Sequence, residues 1–209
     1  MYNLPYFKEN NMDAVLEFIT QHPFAFLCGV DYNNKPVATQ LPVFSEAKND
    51  KIFLYGHLMK ATDHHKAFQL NKNLLCVFSG PHSYVSATWY SNPNQASTWN
   101  YMSVHVQGTI HFLDSDALVE ILRKTCLYFE NNNESSPTIF DNLPTKYVEN
   151  LMSEIVGFEI EVTGIDNVFK LSQNKDKESY TSIIKHLRDS RESIAVAKEM
   201  EKRLGDVFK

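Results

Sequence analysis

Between residues 24 and 112 the chain keeps starting a short apolar run and stopping it with a turn, and that rhythm limits the folds open to it. FAFLCGV at 24–30 reads as a buried strand, closed by the turn residues Tyr32, Asn33, Asn34 and Lys35. VATQLPVF at 37–44 follows, and its Pro42 marks an edge, a bulge or a strand end, because proline cannot donate to a ladder. Asn49-Asp50 turns the chain into a strand at 52–56. LLCVF at 74–78, a strand at 82–89 and the alternating VHVQGTIHF at 104–112 complete the set, with NPNQAS at 92–97 as a loop. Six or seven closely spaced short strands predict an antiparallel barrel rather than a sandwich with long crossovers.

Helices frame this region. MDAVLEFIT at 12–20 puts Val15, Leu16 and Ile19 on one side, and His22-Pro23 ends it. A short helix is expected at 63–70 with Asp63 near its start, and an amphipathic one at 116–129 after Asp114-Ser115. Another follows Pro144 at 145–152. VGFEIEV at 156–162 alternates Phe158, Ile160 and Val162 against Glu159 and Glu161, the pattern of a half-exposed strand, and 168–171 is a second candidate. The tail from about 179 reads as helical, broken near Asp189-Ser190. The expected architecture is one α+β domain over residues 1–209, a barrel core with surrounding helices.

Composition narrows the function classes. A net charge of −5 argues against non-specific nucleic-acid binding as the main activity. Fourteen Phe and ten Tyr point to a β-rich core or a ring-binding surface. Cys28, Cys76 and Cys126 have neither metal nor redox spacing and read as buried small hydrophobes in a reducing compartment. The opening MYNLPYFKENN has no signal-peptide core and no run approaches membrane-spanning length, so a cytoplasmic protein without a membrane partner is expected.

The segment IFLYGHLMKATDHHKAF at 52–68 carries the strongest chemical signal. An apolar strand ends at Gly56-His57, Lys60 follows, and a helix begins at Asp63. A strand that hands over to a helix is expected to present free backbone N–H groups beside the lysine, an arrangement suited to phosphate. Gly-His at a strand end is also an ordinary turn, and Lys60 also fits a solvated surface position.

Several blocks then occur in one order: MYNLPYF, HPFAFL with LPVF, GHLMKA, FSGPHSYVSATWY, TWNYMSVHVQG, VGFEIEVTGI and KLSQNK. Together they resemble the PaiB-type family of FMN-binding proteins, described as negative transcriptional regulators, within the flavin-reductase-like split-barrel fold. The likeness spans almost the whole chain; an extra aromatic in LPVF, Thr88 in place of a common Ser, and the one-residue extension at Asn3-Leu4 depart from it. The resemblance implies a homodimer that holds FMN in clefts near the subunit interface, each barrel completing the other's site. With that cofactor in view, Lys60 is the candidate cation for the phosphate, with the backbone of Gly56, His57 and Ala61 around it; Thr39 and Gln40 on the neighbouring strand fit as donors to the phosphate or to the pyrimidine edge, and fit ordinary strand alternation nearly as well.

The isoalloxazine ring needs a flat apolar wall and donors at its N1–O2 edge. Trp99 and Asn100 offer that mix, although Trp99 fits a buried core position at least as well. Ser103, His105 and Gln107 share one strand face by period-two spacing. Gln173 and Asn174 read as cofactor or partner-subunit contacts, or as a polar turn. Other constellations carry less. His57, His64 and His65 lack the carboxylate or thiolate set a metal needs, so no metal is expected. His82 with Ser83 or Ser86 lacks a nucleophile elbow. The mixed charges at 185–203 read as a solvated helix face, not a DNA-reading helix, which makes direct DNA binding doubtful. Two functions stay open: a regulator acting through flavin or ligand binding, and a flavin-dependent oxidoreductase of the FMN reductase or pyridoxine-phosphate oxidase kind, with NAD(P)H or another small molecule as its partner. No catalytic residue is assigned.

Overall fold

A computed structural model describes residues 1–92 and 94–209; the loop expected at 92–97 includes Pro93, which lies outside them. Helix α1 (Met12–Gln21) is followed by β1 (Phe24–Val30), β2 (Pro36–Pro42), β3 (Phe44–Lys48) and β4 (Lys51–Met59). Then come α2 (Asp63–Leu70), β5 (Asn73–Val85), β6 (Thr98–Phe112), α3 (Ser115–Phe129) and α4 (Thr145–Glu154). The chain closes with β7 (Ile155–Lys170), α5 (Lys177–Arg188) and α6 (Ile194–Val207). Among the described residues the strands form one seven-stranded sheet in the order β2-β1-β5-β6-β7-β4-β3. The pairs β1–β2, β1–β5, β3–β4 and β4–β7 are antiparallel. This is the α+β class with an antiparallel core that the turn rhythm predicts.

Local chemistry explains the boundaries. Asn49 and Asp50 both take positive φ, 53° and 59°, which closes a two-residue hairpin with Lys48 opposite Lys51. Pro42 is the last residue of β2, an edge strand, where its missing N–H costs no ladder bond. Asp114 caps α3 by accepting from the Ala117 N–H at 2.9 Å.

Three strands run through places where the sequence predicts breaks. The β4 ladder with β7 continues past Gly56-His57 to Met59 opposite Ile155. Segments 74–78 and 82–89 join into β5; β1 pairs with it only at residues 75–77, so Pro81 removes no bond from that ladder. In β7, backbone pairing carries through Thr163, Gly164 and Ile165, where the side-chain alternation lapses. Residues 87–89, expected as the end of a strand, form a 3-10 turn capped by Ser86.

By packing, the chain divides into two compact units, each assembled from separated segments. One comprises Met1–Phe18, Ser79–Val104 and Asp166–Lys209. Its core gathers Phe7, Val85, Met102, Phe169, Tyr180 and Met200. The Tyr180 hydroxyl donates to the Met200 carbonyl at 2.9 Å, and burial pushes its pKa up to about 12. The other comprises Ile19–Phe78 and His105–Ile165, built around Leu27, Leu54, Phe68, Ile110, Phe158 and Ile160. Within it Leu118 and Leu122 of α3 pack with Phe140 and Ile155.

β1 departs from the buried run expected of FAFLCGV. Ala25 and Leu27 are fully buried, but Phe24 is 59% and Phe26 41% exposed. The register places these two phenylalanines beside Pro42 and Gln40 of β2, and Phe26 also beside Val77 of β5. The outward positions Phe24 and Phe26 of β1 are therefore aromatic although they meet water, and the run lacks polar alternation for that reason.

Candidate functional site

The β4–α2 turn is built by its own side chains. Thr62 caps α2, accepting from the His65 N–H at 3.3 Å and donating to the Met59 carbonyl at 3.1 Å. Ala61 sits at φ 61°, a left-handed conformation uncommon outside glycine, and its N–H donates to His65 Nδ1 at 3.1 Å. The Lys60 N–H donates to the Glu154 carbonyl at 2.8 Å. The free N–H groups expected here are therefore largely spent: the strand continues through Gly56 and His57, and the next two amides have partners inside the protein.

Lys60 itself is exposed. Its ammonium donates to the Ser153 carbonyl at 3.1 Å and the Met152 carbonyl at 3.4 Å, at the C-terminal end of α4, where a cation is favoured. Among the described ion pairs none uses Lys60. Burial lowers the proton affinity of His65 first, and the positive charges of His64, Lys60 and Lys66 lower it further. Burial also holds His57 below the usual histidine range, which keeps the ring neutral near pH 7.

The neighbouring strand contributes unequally. Thr39 pairs with the buried Leu27, whereas Gln40 pairs with Phe26 on the outward face. Strand alternation therefore points the two side chains to opposite faces. β2 approaches β4 closely: a Cβ on Gly56 would lie 2.7 Å from the Pro42 carbonyl oxygen and 2.8 Å from the Phe158 ring. Gly56 is required by this packing, not by a turn.

In the other unit, Trp99 is 53% exposed and so is not the core residue its type favours. Its ring lies 5.8 Å from His82 and 6.3 Å, edge to face, from Tyr84. Asn100 is fully buried; it accepts from the Ser172 hydroxyl at 3.0 Å and donates to the Met200 sulfur at 3.4 Å. Ser172 is left-handed at φ 63°, so Asn100 braces the turn that ends β7. The Gln173 amide folds back, accepting from the Leu171 N–H at 2.7 Å and donating to the Phe169 carbonyl. Ser103 is buried on β6. From the sequence, Gln173 and Asn174 stand out in KLSQNK. In the structure Lys170 and Ser172 are the residues of this segment that reach β6, Ser172 at Asn100 and Lys170 by donating to Thr98 Oγ1 and to the Trp99 carbonyl at 2.8 Å. Only its place at a strand end signalled that.

Burial raises all three thiols, so none is poised to react. His64 bonds Thr62 and Asp63, and His65 packs edge-on to Phe112 at 4.9 Å. Among the described residues no group of three His, Cys, Asp or Glu side chains is placed to hold a metal ion. No helix among them is long and apolar enough to cross a membrane.

An antiparallel sheet in this strand order, flanked by helices and carrying a cationic strand–helix turn, defines a flavin-reductase-like split-barrel protein. The chain belongs to the family described as "Putative FMN-binding domain", whose model matches residues 1–164, and FMN is the cofactor of that family. It is 33% identical over 209 residues to the protease synthase and sporulation protein PAI 2 of Bacillus subtilis (strain 168), covering 100% of this chain and 99% of that one. An uncharacterized protein of Emericella nidulans is 27% identical over 168 residues, covering 66% of this chain and 67% of the other. Among solved structures, the flavocytochrome Anf3 from Azotobacter vinelandii is similar at a TM-score of 0.59 and 14% identity, over 81% of this chain and 72% of that one. A conserved hypothetical protein from Mycobacterium tuberculosis is similar at 0.57 and 9% identity, over 81% and 91%. The two structural likenesses concern the fold alone.

Proposed function

We propose that this protein binds FMN as a cytoplasmic homodimer and acts as a PaiB-like negative regulator of transcription, through the bound flavin or a small ligand. The observation that carries the reading is Lys60, an exposed cation on the β4–α2 turn without an acidic partner among the described ion pairs. When bound, FMN supplies a redox-active ring and a phosphate dianion. An ammonium has three donors and Lys60 spends two on carbonyls, which leaves one for a phosphate oxygen. The neutral His57 ring adds a donor or acceptor without a charge of its own. Gly56 and Ala61 contribute shape rather than N–H groups, the first by permitting close approach and the second by its left-handed bend. Of the β2 pair, Thr39 and Gln40, only one side chain serves any given face.

Trp99, half-exposed in the other unit, presents an apolar surface of the kind a flavin ring needs. Asn100 and Gln173 serve as braces behind that surface, since their amides are occupied. The exposed Phe24 and Phe26 support a homodimer, because an apolar sheet face of this kind is stabilised when a second subunit covers it. Regulation by direct DNA reading has little support in the tail helices. Arg188 pairs with Glu201, and Lys202 and Arg203 both pair with Glu199, so these cations are largely neutralised within the tail.

The test is an FMN titration followed by flavin fluorescence. Lys60→Ala should weaken binding by about 1–3 kcal/mol, the loss of one charge-assisted contact. An affinity equal to that of the unaltered protein would remove Lys60 from the phosphate site. Steady NAD(P)H oxidation by the FMN-loaded protein would identify an oxidoreductase instead.

A further inference from the structure

A cavity of about 470 Å³ opens within the unit that holds both ends of the chain, a size that suits a small ligand. Three segments wall it: residues 6–10 before α1, the end of β7 with Gln173 beyond it, and the last turns of α6. The N-terminal wall is pinned to residues far away in sequence. The Glu9 N–H donates to Asn167 Oδ1 at 2.8 Å, the Asn167 amide donates back to the Glu9 carbonyl at 2.9 Å, and the Lys8 ammonium pairs with Asp166 at 2.5 Å. The cavity is thus preformed.

Two groups at it are unspent. Arg203 of α6 is mostly buried; its Nη1 donates to Glu199 Oε2 at 2.6 Å and to the Glu199 carbonyl at 3.0 Å. Its guanidinium carbon lies 5.3 Å from the centre of the Phe169 ring, which holds the plane in place. Among the described hydrogen bonds neither Nε nor Nη2 has an acceptor. These donors lie side by side on the fork and match the two oxygens of a carboxylate. Glu9 is the converse. Its Oε1 accepts the Asn11 N–H at 3.0 Å, and its carboxylate enters none of the described ion pairs. The other charged residues at the cavity, Lys8 and Asp206, are spent on Asp166 and Lys209. One donor edge and one uncompensated carboxylate therefore border the same cavity without closing on each other, which complements a ligand that carries both signs of charge.

We propose that this cavity binds an α-amino acid, with Arg203 on its carboxylate, Glu9 on its ammonium, and an apolar side chain against Tyr6 and Val207. The half-exposed Tyr6 ring gives that side chain a surface to cover. Gln173 contributes wall rather than recognition, because its amide is already bonded to the Leu171 N–H and the Phe169 carbonyl. Neither Lys60, His57 nor Trp99 borders the cavity, so the site is separate from the flavin contacts proposed above. Binding does not depend on the flavin reading; only a role as effector of the proposed regulator rests on it.

L-Phenylalanine and L-leucine, titrated by calorimetry into the full chain with and without FMN, test the site. At least one should give saturable binding. Analogues of the tighter binder that lack the ammonium (hydrocinnamate or isocaproate) or the carboxylate (phenethylamine or isoamylamine) should bind about tenfold or more weakly, since each loses a charge-assisted contact. Glu9→Gln keeps the size of the side chain and should weaken the amino acid about tenfold or more while leaving the analogue without an ammonium unaffected. Arg203→Lys keeps a cation for Glu199 but not the paired donors, so it should weaken the amino acid and spare the analogue without a carboxylate. A general loss of packing would not sort the analogues in this way. No saturable binding of either amino acid, analogues that bind as tightly, or unchanged affinity in both variants overturns the proposal. Displacement of the amino acid by FMN also overturns it, since the site would then be the cofactor's own. FMN affinity keeps the two readings apart: it should fall in Lys60→Met, where amino-acid binding holds, and hold in Glu9→Gln.

Discussion

Ala61 keeps a left-handed backbone beside a histidine that must be deprotonated to accept its N–H, and this ties the cationic turn to pH. Burial lowers the pKa of both His57 and His65 from the ordinary 6.5. A base whose folded pKa is depressed binds fewer protons folded than unfolded as pH falls through 6.5, so its stabilising effect is whole above that value and is lost below it. The melting temperature should therefore drop between pH 7 and 5.5, and His65→Gln should flatten the drop. A profile as steep as that of the unaltered protein would exclude His65 as a source. At this scale the sequence showed residue types well and residue roles poorly. Lys60 was legible as a cation on a strand–helix turn. Asn100 was legible as an amide in need of partners, but not that Ser172 and Met200, 72 and 100 residues away in sequence, are those partners.

The helices are the elements the sequence states most openly, because caps and amphipathic spacing are local. α1, α2 and α3 begin within a residue of their expected starts, at Met12, Asp63 and Ser115. Strand ends are less legible, since a strand stops where its neighbour stops pairing and not where Gly or Pro occurs. Gly56 illustrates this: it reads as a turn and functions as the point where β4 admits the Pro42 carbonyl. Gly56→Ala should destabilise the protein by about 1–3 kcal/mol, because backbone rather than a flexible side chain must move, and urea unfolding would measure it. Thr62→Ala should cost about 0.5–2 kcal/mol through loss of the α2 cap, and unaltered stability there would assign the start of α2 to tertiary packing alone.

For the whole molecule, the outward face of β1 is where the proposed homodimer can be tested. Phe26→Lys places a charge where a second subunit is proposed to pack, while the side chain stays outside the core. Light scattering on the purified variant should show a monomer with native circular dichroism. A dimer as stable as before would move the subunit interface elsewhere.

The sequence by itself determined the α+β class, the antiparallel core, the helices and the family, because turn residues, caps and ordered motifs act over a few positions each. Tertiary structure alone decided which strands run on, which face of β1 lies open, and that Asn100 looks inward while Lys170 reaches β6. Those outcomes depend on pairing and burial between segments far apart in the chain, and no local pattern encodes the partner.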